Sequence, residues 1–87
     1  MPKVQVYSKQ QCAYCVRAKA LLTKKGVPFE EIDVEQDDAK RAWLVETSGQ
    51  RTVPQIFVDG RPLGGFSDIE TLDRQGKLDP ILRGEAA

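Results

Sequence analysis

The sequence contains no histidine and only two cysteines among its 87 residues. A structural zinc site takes four cysteine or histidine ligands, so this chain cannot build one by itself. A serine or cysteine nucleophile that is activated by histidine is excluded for the same reason. If one of the two thiols is reactive, something other than histidine must therefore stabilise its thiolate.

Excess charge and long apolar runs are also missing. Thirteen basic residues balance thirteen acidic ones, which predicts neither a nucleic-acid partner nor a membrane partner. No apolar run approaches the roughly 18 residues that a membrane span needs, and the N-terminal stretch lacks the pattern of a secretion signal. The sequence thus predicts a cytoplasmic protein, and in that reducing compartment paired cysteines are more often redox-active or metal-binding than structural.

The pattern along the first half predicts two strands and two helices. The stretch "KVQVY" alternates as a strand does, and a helix is predicted from Ala13 to Lys25 with Gly26 as its stop. A second strand is predicted in "VPFEEIDVE" at residues 27–35 and a second helix in "DDAKRAWLVETSG" at residues 37–49. Two strands joined by a helix favour a right-handed parallel crossover.

The second half predicts a hairpin and a third helix. In "VPQIFVDGRPLGG", Asp59-Gly60 is the turn signal between two strands. Ser67 and Glu70 have the spacing of a capping box, which predicts a helix that begins at Ser67 and ends at Gly76. One more short helical turn is predicted in "LDPILRG". Together the elements predict a single α/β domain over residues 1–87, with a four-stranded mixed sheet flanked by three or more helices.

Both cysteines, Cys12 and Cys15, lie where a polar loop becomes the first predicted helix. If this helix begins at Ala13, Cys12 is its N-cap, and Cys15 lies one turn inside on the same face, roughly 5 to 6 Å away. Free amides at the start of a helix favour a thiolate at Cys12, and Lys9 adds a positive charge nearby. Cys12 is therefore the predicted nucleophile, and Cys15 is the predicted resolving thiol.

The alternative for the two cysteines is that they pack as small apolar residues without any chemical role. The C-x-x-C spacing, its position between a strand and a helix, and the reducing compartment together disfavour that alternative.

Three motifs, in order, resemble those of the small dithiol glutaredoxins. The stretch "KQQCAYC" resembles that family's K-x-x-C-P-Y-C active site, and "TVP" at 52–54 and "GGFSD" at 64–68 resemble its glutathione-binding segments. The resemblance spans about residues 3–83. It implies the thioredoxin fold in its glutaredoxin form. It also implies an enzyme that uses glutathione as reductant on protein disulfides and glutathione mixed disulfides.

Glutathione carries two carboxylates and one amino group, so its site needs cations, free amides and one anion. The resemblance implies that Lys9 and Arg41 hold the glycine carboxylate and that a cis Val53-Pro54 bond presents the Val53 backbone to the ligand. Helix amides at Ser67 and Asp68 would take the γ-glutamyl carboxylate, and the Asp68 carboxylate would pair with the amino group. The full set of predicted glutathione-binding residues is Lys9, Tyr14, Arg41, Thr52, Val53, Pro54, Gly65, Ser67 and Asp68.

Ala13 is a departure from the motif, because the dithiol family usually has proline there. Family members without that proline share a [2Fe-2S] cluster more readily, so the alternative function is a homodimer that holds such a cluster through Cys12 and two glutathiones. A thioredoxin-like protein reduced directly by a flavoprotein is a weaker alternative. The predicted enzyme is otherwise a monomer with no metal. Its predicted partners are glutathione, protein disulfides and, indirectly, the glutathione reductase system.

Overall fold

The computed structural model of the chain describes residues 3–49 and 53–84. The strands are β1 (Val4–Ser8), β2 (Glu30–Asp33), β3 (Gln55–Val58) and β4 (Arg61–Gly64). The helices are α1 (Ala13–Lys24), α2 (Asp38–Ser48), α3 (Phe66–Arg74) and α4 (Leu78–Leu82). This order confirms the predicted succession of elements. In the described ranges, no helix has the length and apolar character needed to cross a membrane.

The strands form one mixed sheet in the order β2-β1-β3-β4. β1 pairs in parallel with β2 across the α1 crossover, while β1 with β3 and β3 with β4 are antiparallel. Tyr7 near the end of β1 lies opposite Gln55 at the start of β3. The loop that follows β1 and the segment that precedes β3 therefore meet at the same edge of the sheet, and this edge carries the cysteines and the Val53-Pro54 bond.

Alternation along β1 and β3 divides the core between the two faces of the sheet. Val4 and Val6 face the layer of α1, α3 and α4, whereas Tyr7 faces α2. Branched and aromatic residues at these positions suit a pleated surface that is covered on both sides. The first cluster contains Val4, Val6, Ala18, Leu22, Ile56, Val58, Ile69, Leu78 and Leu82, and the second contains Tyr7, Val34, Leu44 and Phe57.

Local signals end the helices and turn the hairpin where the sequence predicts. The Asp37 carboxylate accepts a hydrogen bond from the Lys40 backbone N–H at 2.9 Å, which caps the start of α2. Gly49 ends α2 in the left-handed conformation. Asp59 and Gly60 have φ values of 52° and 80°, as a tight hairpin turn with two left-handed residues requires.

The predicted start of the third helix is wrong. α3 begins at Phe66 with Gly65 as its N-cap, so Ser67 lies in the first turn. The Asp68 carboxylate, not that of Glu70, reaches back to accept the Gly65 N–H at 2.9 Å. A carboxylate three residues into a helix can satisfy the N-cap amide in this way, so Asp68 fixes the helix start earlier than the Ser67 signal implies. The second strand is also shorter than predicted, because only Glu30–Asp33 of residues 27–35 pair with β1.

Candidate active site

Cys12 occupies the N-cap of α1, as predicted. Its backbone is extended, and its sulfur accepts a hydrogen bond from the Cys15 backbone N–H at 3.2 Å. The sulfur also lies 3.9 Å from the Val53 carbonyl oxygen. The first turn of a helix offers N–H groups without helical partners, and one of them points at this sulfur. The backbone of α1 thus supplies a donor for a thiolate in a chain without histidine.

Cys15 lies one turn further along α1, where its side chain is only 1% exposed. Burial raises the pKa of the Cys15 thiol to about 11, and its hydrogen bond with Cys12 acts in the same direction. The backbone of Lys9 and the charge of Lys19 oppose this rise in the pKa without cancelling it. Cys15 is therefore a thiol at neutral pH.

A cavity of about 320 Å³ lies on the Val53 side of Cys12, between the start of α1 and the start of α3. Val53 and Pro54 form part of its wall, and the bond between them is cis, as predicted. Six of the predicted binding residues line this cavity, namely Tyr14, Val53, Pro54, Gly65, Ser67 and Asp68. Thr52, which the sequence also assigns to the site, lies outside the described residues.

Lys9 and Arg41 line a second cavity of about 600 Å³ on the α2 side. Val53 lines both cavities, so they adjoin at this residue. The Arg41 guanidinium is bonded to Asp38 on its own helix at 2.5 Å, but its side chain is 54% exposed. The structure thus places both predicted cations on one side of Val53 and Asp68 on the other.

A sequence model described as Glutaredoxin matches residues 4–63 of the chain. The chain belongs to the glutaredoxin family. It is 48% identical to glutaredoxin 3 of Escherichia coli strain K12 over 83 residues, which cover 95% of this chain and 100% of that protein. This membership confirms the predicted family and gives a protein of the thiol–disulfide oxidoreductase kind.

Solved structures of glutaredoxins have the same fold. The solution structure of glutaredoxin from Brucella melitensis is similar with a TM-score of 0.88 at 42% identity, covering 100% of this chain and 95% of that one. A crystal structure of a buckwheat glutaredoxin–glutathione complex has a TM-score of 0.89 at 37% identity, covering 99% of this chain and 83% of that one. The predicted thioredoxin fold is confirmed.

Two residues that contact Tyr14 in this glutaredoxin were not predicted from the sequence. Tyr14 is 58% exposed, and its ring centroid lies 6.0 Å from that of Phe66 at the start of α3. The Arg17 guanidinium lies 5.5 Å from the same centroid. Arg17 lies three residues after Tyr14 on α1, so helical spacing offers a signal for this contact. The contact between Tyr14 and Phe66 depends on how α1 packs near α3, which no local pattern gives.

Gly64 and Gly65 begin the segment at 64–68 that resembles a glutathione-binding segment of the glutaredoxins. Gly64 has a φ of 109°, and a Cβ placed there would overlap Oδ2 of Asp68. A Cβ at Gly65 would lie 3.3 Å from the Pro54 carbonyl oxygen. At Gly64, the group that approaches the backbone is thus the chain's own Asp68, the carboxylate that caps α3.

Gly64→Ala is expected to destabilise the protein more than Gly60→Ala. Both glycines have positive φ values, which alone cost an alanine about 1 kcal/mol, but a Cβ at Gly60 would meet nothing within 4 Å. Displacing the Asp68 cap should add about 1 to 2 kcal/mol for Gly64→Ala. Chemical denaturation of the two variants measures the difference, and equal losses in the free energy of unfolding would contradict this account of Gly64.

Proposed function

We propose that this glutaredoxin is a glutathione-dependent oxidoreductase that reduces protein disulfides and glutathione mixed disulfides. One observation carries the proposal. The Cys12 sulfur lies beside Val53, and Val53 separates two cavities. The first is lined by the cations Lys9 and Arg41 and by Glu35, whose carboxylate accepts the Gln10 N–H. The second is lined by the Asp68 carboxylate and the start of α3. An extended peptide with a carboxylate at each end and one amino group matches this distribution of charge.

Each part of glutathione has a partner of suitable chemistry in this proposal. Lys9 and Arg41 take the glycine carboxylate, since both cations line the same cavity. The backbone of Val53 pairs with the cysteine residue of glutathione, whose sulfur then lies at Cys12. The first amides of α3 take the γ-glutamyl carboxylate, and Asp68 takes the amino group. The buckwheat relative, crystallised as a glutaredoxin–glutathione complex, supports this choice of ligand.

The reaction follows from the different positions of the two thiols. The Cys12 thiolate attacks one sulfur of a substrate disulfide, which forms a mixed disulfide and releases the other sulfur as a thiolate. Cys15 can then attack Cys12, or glutathione can attack the mixed disulfide directly. Reduction of a protein disulfide oxidises two glutathione molecules to one glutathione disulfide. Reduction of a glutathione mixed disulfide consumes one glutathione molecule, because the substrate supplies the other half of the glutathione disulfide.

A coupled assay tests the dependence on glutathione. NADPH and glutathione reductase recycle the glutathione, and the substrate is a small mixed disulfide. We expect turnover that rises with glutathione concentration and is absent without it. Efficient reduction by thioredoxin reductase with no response to glutathione would contradict the proposal and would support the flavoprotein-reduced alternative.

The [2Fe-2S] alternative stays a prediction, as do the monomeric state and the cytoplasmic location. Nothing observed in the described part of the chain favours a cluster over thiol–disulfide exchange at Cys12. Anaerobic purification in the presence of glutathione separates the two. A colourless monomer supports the oxidoreductase, and a coloured dimer that loses its colour in Cys12→Ser supports the cluster carrier.

A further inference from the structure

A third cavity, of about 730 Å³, lies on another side of the two thiols, and it shares only Lys9 and Cys12 with the residues of the proposed glutathione site. Cys12 and Cys15 both line it. Its charged lining residues are Lys9, Lys19, Glu31 and Asp33. The cavity thus places charged side chains from α1 and β2 next to the buried thiol as well as the accessible one.

Lys19 forms an ion pair with Glu31 in this cavity. Its Nζ lies 2.7 Å from Oε2 of Glu31, and the buried Ser8 hydroxyl donates to the same oxygen at 2.8 Å. Lys19 and Ser8 together lower the pKa of the Glu31 carboxyl, so Glu31 stays ionised. Two strands of the sheet therefore fix the carboxylate that holds the Lys19 ammonium.

The position of Lys19 on α1 directs it toward Cys15. It lies four residues after Cys15, so the two side chains lie on the same face of the helix. Long helical side chains run back over the turn that precedes them, which for Lys19 is the turn that carries Cys15. The Lys19 side chain remains 31% exposed, so the ammonium keeps contact with water.

A positive charge near Cys15 assists the resolving step. Cys15 must lose its proton before it can attack Cys12, although burial raises the pKa of its thiol to about 11. Among the charged groups that face Cys15, Glu31 is paired with Lys19, and Asp33 accepts a hydrogen bond from the Glu35 backbone at 2.7 Å. Lys9 also lines this cavity, and a hydrogen bond from its backbone lowers the pKa of the Cys15 thiol.

We propose that Lys19, held by Glu31 and Ser8, is a positioning residue for the resolving step, in which its charge stabilises the developing thiolate of Cys15. In this step the Cys15 proton passes to water in the cavity, and the thiolate attacks the Cys12 sulfur of the mixed disulfide. The bond between the two cysteine sulfurs forms, the bond from Cys12 to the bound thiol breaks, and that thiol leaves as a thiolate. The inference rests on the roles that the proposed function gives to Cys12 and Cys15.

The test isolates this step without glutathione. Reduced protein reacts with excess 5,5′-dithiobis(2-nitrobenzoate) in a stopped-flow instrument, and the released thionitrobenzoate is followed by its absorbance. Attack by Cys12 releases the first thionitrobenzoate, and attack by Cys15 on the resulting mixed disulfide releases the second. Cys15→Ser identifies the second phase, because this variant cannot form the internal disulfide. Failure of glutathione dependence would leave both phases intact, so the two proposals fail separately.

Lys19→Met should slow the second phase by about three- to fivefold, which is the size of effect expected from one partly exposed charge. Lys19→Arg should restore most of the rate, because it keeps the charge. Lys24→Met is the matched control, since it removes the same charge from the last turn of α1. At every pH below the pKa of Cys15, Lys19→Met should slow the second phase by the same factor. The rates of the wild type and of the variant both rise in proportion to the fraction of Cys15 that is ionised.

Three outcomes would overturn the proposal. One is a second phase in Lys19→Met that matches that of Lys24→Met. Another is an equal slowing of both phases, which would mean that Lys19 acts on the whole site and not on the resolving thiol. The third is a Lys19→Arg variant as slow as Lys19→Met, which would mean that the charge has no role.

Discussion

Cys12→Ser is expected to abolish the glutathione-dependent reduction of a small mixed disulfide, while Cys15→Ser keeps much of it. Loss of the sulfur that attacks the substrate disulfide should lower the rate by at least about a thousandfold. The Cys15→Ser variant should stay within about tenfold of the wild type, because glutathione can resolve the mixed disulfide at Cys12. The coupled assay with NADPH and glutathione reductase measures both variants.

The two variants also serve as controls for each other. A serine at the buried Cys15 position places a hydroxyl in an apolar environment, so its free energy of unfolding must be measured beside its activity. With a protein disulfide as substrate, Cys15→Ser should lose more activity than it does with a small mixed disulfide. An active Cys12→Ser variant, or a Cys15→Ser variant as inactive as Cys12→Ser, would contradict the assigned roles.

Asp68→Asn is expected to raise the KM for glutathione by about tenfold, which is the cost of one charge-assisted hydrogen bond. The asparagine side chain can still accept the Gly65 N–H through its amide oxygen, so the start of α3 should survive. The substitution should therefore remove only the ion pair between the Asp68 carboxylate and the amino group of glutathione. Initial rates at varied glutathione concentration measure the change.

Glu70→Gln is the matched control for this prediction. It removes the same charge from the same helix, and Glu70 contacts Arg74 at 3.5 Å instead of lining the cavity beside Cys12. Its KM for glutathione should stay close to that of the wild type. Equal increases in KM in the two variants would show that the total charge of α3 affects glutathione binding and that Asp68 has no specific role.

Elements with a strong local signal could be predicted from the sequence. The first helix stops before Gly26 because glycine readily adopts the left-handed conformation, and the φ of Gly26 is 71°. The Asp59-Gly60 turn was predictable in the same way. The cis Val53-Pro54 bond was different, because chemistry alone favours trans and only the resemblance to glutaredoxins implied cis.

Features with competing local signals, and features that depend on distant parts of the chain, could not be predicted. Both Ser67 and Asp68 could mark the start of α3. The helix begins at Phe66, with Gly65 as its N-cap, because the Asp68 carboxylate accepts the Gly65 N–H. The pairing of Lys19 with Glu31 depends on how α1 crosses to β2, and no spacing rule relates residues on a helix to those on the following strand. The same holds for the contact of Tyr14 with Phe66.

The central claim is that the start of α1 makes Cys12 the reactive thiol, while burial keeps Cys15 protonated. Limited alkylation tests it most directly. Reduced protein is treated with one equivalent of iodoacetamide at neutral pH and digested with trypsin, and the peptide "QQCAYCVR" is sequenced by tandem mass spectrometry. The label should favour Cys12 over Cys15 by at least about tenfold. Equal labelling, or a preference for Cys15, would contradict the account.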